Sequence, residues 1–273
     1  MNIFQKLTYG YSMLADGSFA DVTGQDFVDH LSIGAPGWIT AWVAIGLAVI
    51  FGLFVYIFPV IMTENEHIQC YPLWLHCFYW AADFMGIWVF IHAWAKYDHF
   101  LLFLLLAIGE AVWVGMETYC LTRAVQYEHS IIWKKGTSTK TMVAEIVILT
   151  LFMYLCLNFL RFEWHDETMW KFWIFTQVLV TTVPVWEMRK RGYKSGNCLA
   201  LSITFICVAL VSFNPWANMW LAVKPEFFSL QANPWYYLTG LFCLASAIYG
   251  LYLYIKLPPK EDVMGSGKKA ILK

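Results

Sequence analysis

The sequence predicts an all-α polytopic membrane protein, a bundle of seven transmembrane helices, and three observations carry that prediction. Of 273 residues, 60% are hydrophobic and 14% charged, against about 25% charged in ordinary soluble domains. Runs of about 20 apolar residues, the length that crosses a bilayer, recur seven times. Lys and Arg are segregated between alternate connections, as the positive-inside rule expects of a chain that crosses repeatedly.

Taken in order, residues 1–35 contain Asp16, Asp21, Asp26 and Asp29. They lack the basic start and central apolar run of a cleaved signal. They are expected to form a non-cytosolic cap, with an interfacial turn around Ile3 to Met13. The transmembrane domain is expected over 36–257, with spans at roughly 36–62, 71–95, 99–122, 141–161, 170–188, 196–222 and 234–256. Short connections favour one bundle over two domains. Residues 258–273, entered through Pro258 and Pro259, are polar and are expected to be a mobile cytosolic tail.

One set of connections carries Arg123, Lys134, Lys135 and Lys140, then Arg189, Lys190, Arg191 and Lys194, then the basic tail; the other carries little beyond Lys6, Lys96, Arg161 and Lys224. The positive-inside rule therefore predicts an amino terminus outside or lumenal and a carboxyl terminus in the cytosol. In a eukaryotic cell the endoplasmic reticulum membrane is the expected location. Membrane lipids are then partners, while a net charge of −1 with no basic aromatic groove argues against nucleic acid. Cys70, Cys77, Cys120, Cys156, Cys198, Cys207 and Cys243 are irregularly spaced with no C-x-x-C pair, which argues for packing roles and against a disulfide framework or a zinc site. No metal is expected.

Candidate chemistry centres on Asp83 and Glu110, near the middles of the second and third spans. An ionisable group at that depth is costly and marks a functional site by default. On the second span His76, Tyr79, Trp80, Asp83, Gly86 and Phe90 recur at intervals of three and four, which gathers them on one face. Glu110, Trp113 and Glu117 do the same on the third. The spans run in opposite directions, so Asp83 and Glu110 are expected at matched depth, with Glu117 nearer the cytosol. A structural reading competes, since buried acids also hydrogen-bond neighbouring helices and lock bundles. Glu145 and Glu187 lie close to the basic side, where Lys140, Arg189 or headgroups would serve them.

Aromatic residues form 19% of the chain, 15 of them Trp. Trp216, Trp220 and Trp235 fit an interfacial belt, whereas Trp80, Trp88, Trp113, Trp186, Tyr154 and Tyr249 fall deep within spans. A pocket walled by such rings excludes water and attracts a cation without attacking it. Burial in a low dielectric favours the neutral, proton-donating form of a carboxyl group. Acid and rings together suit protonation-initiated cyclisation of a prenyl chain. Neither D-D-x-x-D nor D-x-D-D occurs, so magnesium-assisted ionisation of a diphosphate is not supported.

Short patterns along the chain carry a family resemblance. Pro72 and Leu73 are followed by Trp80 and Asp83, Arg191 and Gly192 by Gly196, and the last span holds Ser246, Ala247, Ile248, Tyr249 and Gly250. In these patterns and in overall plan the chain resembles the small seven-helix membrane terpene cyclases of fungal meroterpenoid and indole-diterpene biosynthesis. That family pairs a second-span Glu with a seventh-span Asp. Here the first position corresponds to Asp83, displaced by a couple of residues, and the second to Ser246, leaving Glu110 as the replacement chosen by depth. The resemblance implies an epoxidised or alkene prenyl chain on an aromatic head as substrate, with no cofactor. Asp83 and Glu110 would be catalytic, and His76, Tyr79, Trp80, Trp113, Glu117, Ser246 and Tyr249 would contact substrate.

Other classes are weighed by what they require. A retinal protein needs a lysine midway along the last span, and Lys256 lies at its end. Haem ligation needs opposed histidines, and His76 and His92 share one helix about 24 Å apart. A transporter or proton-coupled carrier is the main competitor, since intramembrane acids are its usual equipment, although internal repeats are not evident. Another lipid-modifying membrane enzyme could use the same acids.

Overall fold

The computed structural model describes residues 21–264 and 266–272. The expected turn around Ile3 to Met13, with Lys6 and Asp16, lies outside the described residues. Within them the chain is helical, with two isolated β-bridges and no β-strand. The elements are α1 (Gly24–Leu31), α2 (Trp38–Glu66), α3 (Leu73–Lys96), α4 (Leu101–Tyr127), α5 (His129–Ile132), α6 (Thr139–Glu163), α7 (Phe172–Arg191), α8 (Leu199–Phe213), α9 (Met219–Val223), α10 (Pro225–Phe228) and α11 (Pro234–Lys256).

Local chemistry sets several boundaries. Pro72, which has no amide hydrogen to place, precedes α3. The Ser138 hydroxyl accepts the Thr141 N–H at 3.2 Å to start α6, and the Asn233 side chain accepts the Tyr236 N–H at 3.1 Å to start α11. α7 ends at Gly192, whose φ of 74° is the left-handed conformation a glycine adopts freely.

Five helices, α2, α3, α4, α6 and α11, are long and apolar enough to cross a membrane. The other two expected spans depart from that pattern. α7 has the length, 20 residues, but Thr176, Gln177, Thr181, Thr182 and Glu187 dilute its apolar character. The span expected at 196–222 breaks at Asn214, so α8 has 15 residues, about 22 Å against a hydrocarbon core of about 30 Å. The break is chemical: the Asn214 side chain accepts the N–H groups of Trp216 and Ala217 at 3.1 and 2.7 Å. Pro215 then makes continuation of the helix unfavourable.

α3 is the central helix, packed most extensively on α4 and also on α6. α8 packs on α2 and α11, and α11 on α7. The Tyr79 hydroxyl donates to the Thr176 carbonyl at 2.8 Å, joining α7 back to α3. The ring α3–α4–α2–α8–α11–α7 thus encloses an interior. α6 stands outside it, exposing Val147, Ile148, Leu151, Phe152, Leu155 and Phe159. Such a continuous apolar face matches lipid.

One end of the bundle, where α3 meets α4, is roofed by α1, α9 and α10. Phe27, Trp170, Phe213, Trp220, Phe228 and Tyr236 pack there, and the Trp220 indole N–H donates to the Trp170 carbonyl at 2.7 Å. Trp220 is therefore a core residue rather than the interfacial one its position suggested, because the break at Asn214 folds α9 back over the bundle. Trp216 and Trp235 are exposed, and so are Trp88 and Trp186 at 58% and 49%, pointing outward from helices whose inner faces are filled by smaller residues.

The opposite end gathers Arg123, Arg191 and the tail. Arg123 pairs with Glu64 at 2.6 Å, and Arg191 donates to the Gln69 carbonyl. The tail, expected to be mobile, docks here. Lys260 pairs with Glu66, both side chains at most 1% exposed. Asn65 donates to the Lys269 carbonyl at 3.1 Å and accepts the Ile271 N–H at 3.3 Å. Glu145 is held neither by Lys140 nor by Arg189 but by the Trp133 indole N–H at 2.6 Å. All seven cysteines are unpaired, five of them buried.

Candidate functional site

The site grows from the antiparallel pair α3 and α4. A reversal over Tyr97 to Phe100, with Asp98 and His99 at positive φ of 47° and 60°, sets their register. In that register Asp83 faces Glu110, and their carboxyl groups make side-chain hydrogen-bond contact. Two bare carboxylates would repel at this range, and a proton held by either one would relieve the repulsion. Gly86 makes room for the contact: a Cβ there would lie 3.0 Å from the Glu110 Cγ and Cδ.

Seven residues along each helix, two turns, His76 meets Glu117 in the same register. Nδ1 and Oε2 are 2.6 Å apart, with the side chains 2% and 0% exposed. The two levels are separated by about 10 Å. Tyr56 on α2 stands between them. Its hydroxyl donates to the Asp83 Oδ2 at 3.3 Å, and Glu117, whose Oε1 is buried with no partner, is its acidic neighbour at the other level.

Asp83 and Glu110 open on a cavity of about 100 Å³. Its walls are mostly apolar and aromatic: Tyr56, Tyr79, Phe90, Trp113, Trp170 and Trp173, with Thr176 and Gln177 adding polar groups. Tyr56 stacks on Trp113 at 6.2 Å and meets Tyr79 edge-on at 6.2 Å. The Glu110 Oε2 and the indole nitrogens of Trp113 and Trp170 are buried with no partner. Unpaired polar atoms around an apolar cavity are what a ligand carrying one polar atom would satisfy.

The sequence-derived residues thus divide. Asp83, Glu110, Tyr79 and Trp113 share the cavity. His76 and Glu117 lie beyond its end. Trp80 turns to the far side of α3, donating to the Thr118 hydroxyl at 2.9 Å and stacking on Phe84 at 5.0 Å. There it lines a second, larger apolar groove of about 720 Å³ between α3, α4 and α6. Ser246 and Tyr249 are not among the cavity's lining residues; Tyr249 stacks on Tyr252 at 6.3 Å instead. Their helix presents Cys243, Ala247 and Gly250 inward, and a Cβ on Gly250 would meet the Val185 side chain at 2.6 Å. Tyr56, Trp170, Trp173, Thr176 and Gln177 were not singled out from the sequence. Only Tyr56, a hydroxyl midway along a strongly apolar run, carried a local signal.

His76, Glu117 and Cys120 offer nitrogen, oxygen and sulfur atoms within 4.8 Å of one another. His76 Nδ1 and Glu117 Oε2 bond each other, while His76 Nε2 and Glu117 Oε1 are buried with no partner, and no fourth ligand converges among the described residues. The arrangement is a hydrogen-bonded pair beside a buried thiol. Family models, curated proteins and solved structures all return no match to this chain.

Proposed function

We propose that this protein is an integral membrane enzyme that protonates an apolar substrate and guides the resulting carbocation, a terpene cyclase of the membrane-embedded kind. The observation that carries the reading is the carboxyl pair Asp83–Glu110, in contact at the wall of an aromatic cavity. Asp83 delivers the shared proton to a terminal epoxide or alkene; Glu110, then a carboxylate, removes the proton that the final carbocation loses and passes it back to Asp83. The faces of Tyr56, Tyr79 and Trp113 stabilise positive charge during ring closure without adding to it. No metal enters this scheme.

The cavity is smaller than the roughly 150 Å³ that admits benzene in an engineered core. It therefore receives the reacting terminus, while the rest of a prenyl chain with an aromatic head extends between helices. Counting α7 and the short α8 with the five long apolar helices gives seven passes. The end bearing Arg123 and Arg191 then faces the cytosol, in the endoplasmic reticulum if the cell is eukaryotic.

Membranes containing Asp83→Asn or Glu110→Gln, supplied with an epoxyprenyl aromatic, are expected to lose cyclised product by mass spectrometry. Wild-type turnover in both would overturn the assignment. A proton-coupled carrier is the second reading, favoured by the way the acids continue past the cavity to Glu117. Uptake of a solute into vesicles, abolished by the same substitutions, would favour it.

A further inference from the structure

The polar groups behind the cavity form a file that the cyclisation chemistry does not use. Among the described residues it runs Glu110, Asp83, Tyr56, Glu117, His76: hydrogen bonds join Tyr56 to Asp83 and Glu117 to His76, and the Glu117 Oε1 on the Tyr56 side of the pair is buried with no partner. Past His76, whose Nε2 is buried with no partner, lie Gln69 and Glu128 at the end of the bundle that carries Arg123. The Gln69 amide N–H donates to the Glu128 carboxylate at 2.9 Å, and the Gln69 side chain donates to the Cys120 carbonyl at 2.8 Å. In the other direction, apart from Thr176 and Gln177 in the cavity wall, the surroundings are apolar. Beyond Glu110 come Leu106, Phe90 and Phe103, then the aromatic roof.

We infer that this file is a proton relay that connects the Asp83–Glu110 pair to the Arg123 face of the bundle and to no other face. The inference rests on the reading of that pair as the acid of the site. Tyr56 is the hinge of the argument, because its hydroxyl is the sole group among those described that reaches both levels of the α3–α4 pair. As the donor to Asp83, its oxygen keeps a lone pair that can accept a proton from Glu117.

One transfer balances as follows. Starting from an imidazolium at His76, a protonated Glu117 and a carboxylate at Asp83, His76 gives its Nδ1 proton to Glu117 and becomes neutral, while Glu117 gives its own to the Tyr56 oxygen as Tyr56 releases its O–H proton to Asp83. Each O–H or N–H bond broken is replaced by one formed, with no net charge left on the tyrosine. The ionisable groups facing the file are Tyr79 near Asp83, Tyr71 against the His76 ring at 5.6 Å, Cys120 beside Glu117, and Glu128 with Arg191 at its mouth.

A cyclisation returns its proton at the end, so such a relay is not consumed at every turnover. Its role is to reset the pair whenever a cation is quenched by water or a proton is lost with product. Tyr56 and Glu117 are thus positioning and transfer residues for the acid rather than groups that touch substrate.

The test is infrared spectroscopy of the full chain in lipid bilayers on exchange into D2O. The component of the protonated carboxyl C=O band that disappears in Asp83→Asn and Glu110→Gln reports the pair. Tyr56→Phe and Glu117→Gln are each expected to slow the isotope shift of that component by about tenfold or more. Tyr154→Phe is expected to leave it unchanged. Amide exchange followed in the same spectra separates a broken relay from a loosened bundle, and Glu117→Gln stands in if Tyr56→Phe does not fold. Unchanged carboxyl exchange in the folded variants would overturn the relay alone. Absence of any band component dependent on Asp83 or Glu110 would overturn the shared proton and the relay with it.

Discussion

Gly86→Ala separates the carboxyl contact from the stability of the fold. The new methyl carbon would sit 3.0 Å from the Glu110 Cγ and Cδ and 3.3 Å from Oε2. Comfortable carbon contacts begin near 3.5 Å, so Glu110 must retreat by about 0.5 to 1 Å. Alanine favours the helix by about 1 kcal/mol over glycine, while crowding a packed interior costs about 1–3 kcal/mol. The net change in unfolding free energy is therefore a destabilisation of no more than about 2 kcal/mol. A displacement of that size between reacting groups costs up to about a hundredfold in rate. Cyclised product per unit time and thermal unfolding in detergent would be measured side by side. Gly115→Ala is the comparator, since nothing lies within 4 Å of a Cβ there; it should gain stability and keep full turnover. Glu110→Asp placed in the Gly86→Ala background should restore room and recover part of the activity. A folded Gly86→Ala protein with undiminished turnover would refute the claim that the two carboxyls must touch.

Two further predictions concern the ends of the bundle. Lys260→Met strands the Glu66 carboxylate, which keeps only the Gly196 N–H at 2.6 Å, and should cost about 3 kcal/mol. Adding Glu66→Gln should recover much of that, and a coupling below about 0.5 kcal/mol in the double-mutant cycle would show that the tail is not anchored by this pair. At the roofed end, burial pushes the Asp166 carboxyl, which lies between α6 and α7, up to about 6 from an ordinary 3.8. The folded chain then binds a proton more tightly than the unfolded chain. Its contribution is fully present below the unfolded value and is lost as pH rises from about 4 to about 6, by about 3 kcal/mol. Denaturation of wild type against Asp166→Asn across that range should show the difference, and parallel pH profiles would contradict it.

The sequence alone determined the environment and the acidic centre. Apolar run length and the scarcity of charge follow directly from what lipid tolerates, so helical class and most boundaries were legible. The α3–α4 site was partly legible for the same reason: two antiparallel helices joined by a short turn bring residues of complementary spacing together, which places Asp83 against Glu110 and His76 against Glu117. What required the tertiary structure was everything set by helices distant in sequence. Periodicity places a residue on a face but does not say which neighbour that face meets. Trp80 therefore turned away from the cavity while Tyr56, Trp170 and Gln177 entered it. Ser246 and Tyr249 stayed out because Gly250 and Ala247 let α11 approach α7 and α8 with its small residues. Trp220 and the tail were misread for a related reason, since polarity and end position predict exposure only until a turn such as Asn214–Pro215, or a buried acid such as Glu66, draws the segment inward. The two carboxyls were visible as an expensive anomaly; the file behind them exists only because a third helix supplies the hydroxyl that joins its two levels.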